Sequence, residues 1–104
     1  MTEKEIIYGQ VIDILKTVFD PEIPVNIYEL GLIYKVEVTD SNNVIIEMTL
    51  TTPACPVAES LPGEVRQRIK QIPGVNEVFV DLVWEPQWNT SMMSDEAKLQ
   101  LGML

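Results

Sequence analysis

Histidine is absent from this chain, and cysteine occurs once, at Cys55. With no imidazole, one copy cannot assemble a Ser-His-Asp or Cys-His nucleophilic arrangement. One thiol and no histidine also fail to fill the tetrahedral N/S shell of a conventional zinc site. A lone cysteine forms no intrachain disulfide and no Cys-x-x-Cys redox pair. Basic residues are scarce too: 7 Lys and Arg stand against 16 Asp and Glu, for a net charge of −9. That balance opposes binding to nucleic acid, whose affinity comes from cations on phosphates, and to anionic lipid. It suits cations or basic protein partners, or simply a solvated acidic surface. No apolar run is long enough to span a bilayer. Met1–Glu5 lacks the basic-then-apolar character of a signal peptide, and there is no Gly-rich phosphate loop. The expected setting is reducing and cytoplasmic.

What is present is a foldable pattern. The chain has 104 residues, 46% of them hydrophobic, enough for one core without staples. A single domain over 1–104 is expected, with 84–104 as a C-terminal extension packed on it. Thr2 and Glu5 have capping-box spacing, and Ile7, Val11, Ile14, Leu15 and Val18 recur at helical intervals, predicting a first helix over about 3–18. Pro21 and Pro24 stop it. Ile27–Leu30 reads as one turn closed by Gly31 in a left-handed conformation. Leu32, Tyr34, Val36 and Val38 then alternate with Ile33, Lys35 and Glu37 as a half-buried strand. Asp40–Asn43 is turn chemistry, and Val44, Ile46, Met48 and Leu50 form the second strand of an antiparallel hairpin. Helical spacing returns over Val57, Leu61, Val65, Ile69 and Ile72, with a kink or restart expected near Pro62-Gly63. Val78, Val80, Leu82 and Trp84 mark a third strand. Ser94 caps a short last helix, with Leu99 and Leu101 as its anchors and Gly102 as its end.

The fold class that follows is α+β. It is a two-layer sandwich in helix-strand-strand-helix-strand order, with a short C-terminal helix, and a small, mostly antiparallel sheet covered by helices on one face. The other face would carry Ile33, Ile45, Phe79 and Val83 among charges. That is apolar enough to call for a cover, either the C-terminal segment or a second subunit. Met92, Met93 and Trp88 read either as a partner surface or, with more weight, as local packing.

The chemistry concentrates at Thr51-Thr52-Pro53-Ala54-Cys55-Pro56, between the second strand and the second helix. Pro56 fits a first helical position, which makes Cys55 an N-cap, where unpaired N–H groups and the helix dipole favour thiolate over thiol. The position alone equally fits a small buried hydrophobe. Asp20 and Glu22 flank Pro21 as an acidic lip beside a site, or as solvated acids of a helix-ending loop.

Asp20-Pro21-Glu22, Asn26-Ile27-Tyr28-Glu29-Leu30-Gly31-Leu32-Ile33-Tyr34 and Thr49-Leu50-Thr51-Thr52-Pro53-Ala54-Cys55-Pro56 resemble the SufT/PaaD-like family of iron–sulfur cluster assembly domains. The tail, Trp84-Glu85-Pro86-Gln87-Trp88 with Met93-Ser94 and Leu101-Gly102, is similar to that of SufT-like members. The resemblance implies an accessory factor in cluster assembly or iron–sulfur protein maturation, acting in the bacterial SUF pathway or its equivalents, and not an enzyme. A thiol enzyme, such as a persulfide carrier, is a weaker third reading. The functional thiol and transient metal ligand falls on Cys55. Asp20 and Glu22 would shape its environment, Pro53 and Pro56 would frame the loop, and Thr51 and Thr52 would bond the sulfur or the helix end, or only cap the strand. The implied cofactor is a transient iron–sulfur cluster or iron, with nothing tightly bound. The implied partners are assembly proteins and apo clients, or a second copy of the chain, with no nucleic acid and no membrane. A metal-free adaptor bridging machinery and a metalloenzyme client is the alternative. The chain departs from the family pattern at Glu29, Gln87 and Pro62-Gly63, the last of which bears on helix geometry and not on the thiol.

Overall fold

The computed structural model describes residues 2–19, 24–50 and 61–102. Helix α1 spans Glu3–Leu15, with the Thr2 hydroxyl accepting from the Glu5 amide at 3.2 Å as its N-cap. It ends three residues earlier than its apolar spacing predicts. The Thr17 hydroxyl donates to the Ile14 carbonyl at 2.6 Å, and the Thr17 amide donates to the same oxygen, which tightens and closes the last turn. Val18 is nonetheless fully buried, because the chain leaves the helix extended and the Ile27 amide bonds the Val18 carbonyl at 2.8 Å.

Strands β1 (Ile33–Val38) and β2 (Val44–Met48) form the expected antiparallel hairpin, and β3 (Val78–Leu82) pairs with β2 in parallel. The sheet order is β1-β2-β3. The sheet, expected to be mostly antiparallel, therefore has one pairing of each kind. Helix α2 (Leu61–Lys70) lies between β2 and β3 in the chain, and a crossover of that length returns it to the end from which β2 started. Pro62 and Gly63 fall in the first described turn of α2; Val57 lies outside the described residues. Leu61, Val65, Ile69 and Ile72 are buried, and Glu64, Arg66, Gln67, Arg68 and Lys70 face water, as their spacing predicts.

Helices α1 and α2 cover one face of the sheet. Rows of cross-strand partners line that face: Val38–Val44–Val78, Val36–Ile46–Val80 and Ile33–Met48–Leu82. The place of Ile33 in this set corrects the simple alternation. The register shifts by one residue between Ile33 and Lys35. This bulge sets two residues of β1, Tyr34 and Lys35, against Glu47. Ile33 thus packs against the core, and Tyr34 is carried to the other face.

Two further expectations change beyond β3. Trp84 follows the strand's end and is exposed rather than buried in line with Leu82. Helix α3 (Asp95–Gln100) is capped by Ser94, whose hydroxyl accepts from the Ala97 amide at 3.1 Å, but Leu99 is exposed; Met93 and Ala97 are the buried anchors, with Leu101 partly buried beside them. The reason is the shortness of α3, which turns only one narrow face to the core. Gly102 ends it with a positive φ, as expected.

Candidate functional site

The residues to which the sequence points, Cys55 with Thr51, Thr52, Pro53 and Pro56, and Asp20 with Glu22, lie outside the described residues. The structure does describe the roots of both segments and the motif that connects them in the chain. Around residues 20–22, Phe19 and Asn26 form a single antiparallel bridge, so the two ends of that stretch are held side by side. Val18, Val25 and Ile27 are buried about this bridge.

At the root of the cysteine segment, the Thr49 amide donates to the Leu32 carbonyl at 2.8 Å and the Val83 amide to the Met48 carbonyl at 2.8 Å. Leu50 on one side and Leu61 on the other are buried. Both ends of 51–60 are therefore anchored in the core. Thr49 is the feature that sequence reasoning missed. It is the buried polar side chain among the described residues, and its Oγ1 has no hydrogen-bond partner among them. A threonine in an apolar strand gives no sequence signal of this, because alternation places it on the solvent side.

Asn26–Tyr34, the longest stretch of the family-like pattern, is a structural hub. The Asn26 Oδ1 accepts from the Glu29 amide at 2.9 Å, closing a turn. Gly31 follows with φ +83°, and a Cβ there would lie 2.2 Å from the Met92 carbonyl oxygen. The tail docks on this turn. Trp88 Nε1 donates to the Leu30 carbonyl at 2.8 Å, and the Ser94 amide donates to the Glu29 carbonyl at 2.8 Å. Tyr34 donates from its hydroxyl to the Pro86 carbonyl at 2.8 Å, with Met92 Sδ at 3.4 Å. Burial there pushes its phenol above the usual tyrosine value. Trp88 and Met93 thus serve local packing, as expected.

The outer sheet face, where Tyr34 emerges, borders a groove of about 590 Å³ whose walls include Tyr34, Glu47, Glu85 and Met92. Among the described residues, no group of three or more His, Cys, Asp or Glu side chains is placed to hold a metal ion. The described ion pairs, such as Lys35–Glu37 at 3.2 Å and Glu64–Arg68 at 3.1 Å, are half-exposed surface pairs of small energetic weight.

The sequence pattern of the family described as "Iron-sulfur cluster assembly protein" matches residues 9–80. The chain belongs to this family. An "Fe-S protein maturation auxiliary factor" of Porphyromonas gingivalis is 50% identical over 94 residues, covering 90% of each chain. The "Fe-S protein maturation auxiliary factor SufT" of Staphylococcus aureus is 40% identical over 83% of this chain and 98% of its own. In three dimensions, a crystal structure of a domain of unknown function from Bacillus anthracis superposes with a TM-score of 0.86 at 37% identity, covering 97% of this chain and 96% of that one. The family match spans both 20–22 and 51–56, and the structural match includes the docked tail.

Proposed function

We propose that the protein is a cytoplasmic, non-enzymatic accessory factor of iron–sulfur protein maturation that acts through Cys55. The family match across residues 9–80 carries this reading, together with the names of the two relatives. In it, Cys55 supplies a soft thiolate to iron or to a cluster in transit, since thiolates are the ligands of iron–sulfur chemistry. Asp20 and Glu22 shape the thiol's electrostatic surroundings, Thr51 and Thr52 bond the sulfur or the neighbouring chain ends, and Pro53 and Pro56 stiffen the segment. Residues 84–104 belong to the same folding unit. The partners are assembly proteins and apo clients.

A cluster takes about four thiolates, and this chain has one cysteine and no histidine. Any cluster it handles is therefore completed by a second copy, a client or small thiols, and is labile. The test is Cys55→Ser in cells lacking the native gene. The variant is expected to fold, because the core side chains described above are untouched, and to leave client iron–sulfur enzymes inactive. A variant that matures clients as well as wild type rejects the role of the thiol and favours the metal-free adaptor. Anaerobic reconstitution with native mass spectrometry adds a second readout. A stable four-iron cluster on a monomer without added thiol would overturn the ligand count.

A further inference from the structure

The outer face of the sheet carries a patch whose composition specifies its partner. Across the strands, Glu37, Ile45 and Phe79 form one row, and Lys35, Glu47 and Asp81 the next. The tail covers the Tyr34 end of this face through the Tyr34–Pro86 bond and leaves the other end open. Phe79 is 51% exposed there, beside a half-buried Ile45. Lys35 is the one cation of these rows and is already engaged by Glu37 and Glu47, at 3.2 and 3.9 Å. Asp81 on the face and Glu85 on the groove wall make no ion pair among the described residues.

We propose that this face docks a partner protein that presents an arginine or lysine to the groove between Glu47 and Glu85 and an apolar side chain to Phe79 and Ile45. Tyr34 lines the same groove as these two carboxylates. Glu47 and Ile45 lie two residues apart on β2, about 7 Å along the strand, which sets the spacing of the two side chains the partner must offer. Charge opposes a second copy as occupant. Two such faces packed together would set the carboxylates of Glu37, Glu47, Asp81 and Glu85 against the same acidic excess, with Lys35 the one cation on each face. The proposal rests on the accessory-factor reading only in supplying that reading with a partner surface; the surface itself needs no metal.

The probe is a synthetic peptide of repeated Arg-Ser-Leu-Ser units, titrated into the full-length, amide-labelled protein and followed by NMR. Shifts are expected at Tyr34, Glu47, Phe79 and Asp81. A peptide of Arg-Ser-Ser-Ser units and one of Glu-Ser-Leu-Ser units should each bind at least about tenfold more weakly, a difference of about 1.4 kcal/mol. Phe79→Ser and Glu85→Lys, at exposed positions, should each weaken the first peptide by a similar factor while leaving the circular dichroism spectrum unchanged. If Phe79→Ser alters the fold, Phe79→Thr, which also removes the apolar ring but keeps a strand-favouring residue, gives the same test. Equal binding of the Arg-Ser-Ser-Ser peptide would reduce the effect to general acidity and overturn the proposal, as would shifts confined to α1 and α2. Concentration-dependent self-association abolished by Phe79→Ser would also overturn it. Cys55→Ser should bind the peptide as wild type does, so a failure here and a failure of client maturation are separate results.

Discussion

Gly31→Ala is the substitution whose cost the structure allows to be worked out in parts. The backbone at Gly31 has φ +83°, where a Cβ costs about 1–2 kcal/mol from local sterics alone. The new Cβ would also stand 2.2 Å from the Met92 carbonyl oxygen and 2.8 Å from its carbon. These are backbone atoms, so relief requires the tail to move. The Trp88–Leu30 and Ser94–Glu29 hydrogen bonds, both 2.8 Å, hold the tail on either side of that contact and would be lost or stretched. Each contributes about 0.5–1.5 kcal/mol net. The expected destabilisation is therefore roughly 2–5 kcal/mol, read as a fall in melting temperature of about 4–8 °C per kcal/mol for a chain of this size.

Two other glycines separate the contributions. Gly74 also has a positive φ, +93°, but the nearest atom that a Cβ there would meet is Ile7 Cδ1 at 3.7 Å, an ordinary contact. Gly74→Ala should show the conformational cost without the clash, about 1–2 kcal/mol. Gly9 lies within α1 with nothing near a Cβ, and Gly9→Ala should stabilise by about 0.5–1 kcal/mol. Urea unfolding of the three variants, followed by circular dichroism and tryptophan emission, measures all of these differences. A Gly31→Ala cost no larger than that of Gly74→Ala would refute the claim that the tail is clamped on the hub.

Two shorter predictions bear on the neighbouring side chains. Burial raises the Tyr34 phenol, so below the ordinary tyrosine value of about 10 both folded and unfolded chains are protonated and its contribution is complete. As pH climbs from there through the raised folded value, the unfolded chain ionises first and stability falls. Tyr34→Phe should lessen that alkaline loss, and one of the chain's 3 tyrosines should titrate late by phenolate absorbance; synchronous titration would contradict this. Thr49→Val removes a buried hydroxyl with no partner among the described residues, and a gain of about 1 kcal/mol in urea unfolding is expected. A loss of similar size would show that the hydroxyl has a partner outside the described residues.

The elements were legible in the sequence because each has its own period. Ile7, Val11 and Leu15 in α1, and Leu61, Val65 and Ile69 in α2, are buried at the spacing that announced them. What period alone misreads is a break in it. The bulge at Tyr34–Lys35 exchanges Ile33 and Tyr34 between faces, because one inserted residue inverts every side chain before it. Val18 is buried by a bridge and not by a helix. Leu99 is exposed because a six-residue helix has little face to bury. For the site, Cys55 falls in the chain between β2 and α2, and its expected place at a helix N-cap lies outside the described residues. The structural work of Asn26–Tyr34 was not legible, since its partners Trp88, Met92 and Ser94 lie some sixty residues away in the chain.

That long-range docking couples the hub to the proposed partner surface. Glu85, Pro86 and Met92 belong to the tail, yet they form one wall of the groove whose other wall is Tyr34 and Glu47. The groove exists only while the tail is seated, and the tail is seated by contacts to Glu29, Leu30 and the bare Cα of Gly31. Gly31→Ala should therefore weaken the Arg-Ser-Leu-Ser peptide, although residue 31 adds no charge and Phe79, Ile45 and Asp81 stay in place. Gly74→Ala, at a comparable backbone cost but on the far side of the core beside Ile7 and Glu3, should leave peptide affinity unchanged under conditions where both variants are fully folded. If both weaken it equally, the effect is general softening of the fold. If neither does, the carboxylate of Glu85 and the tail contribute nothing to the surface, and the apolar row of Ile45 and Phe79 must act with Glu47 and Asp81 alone.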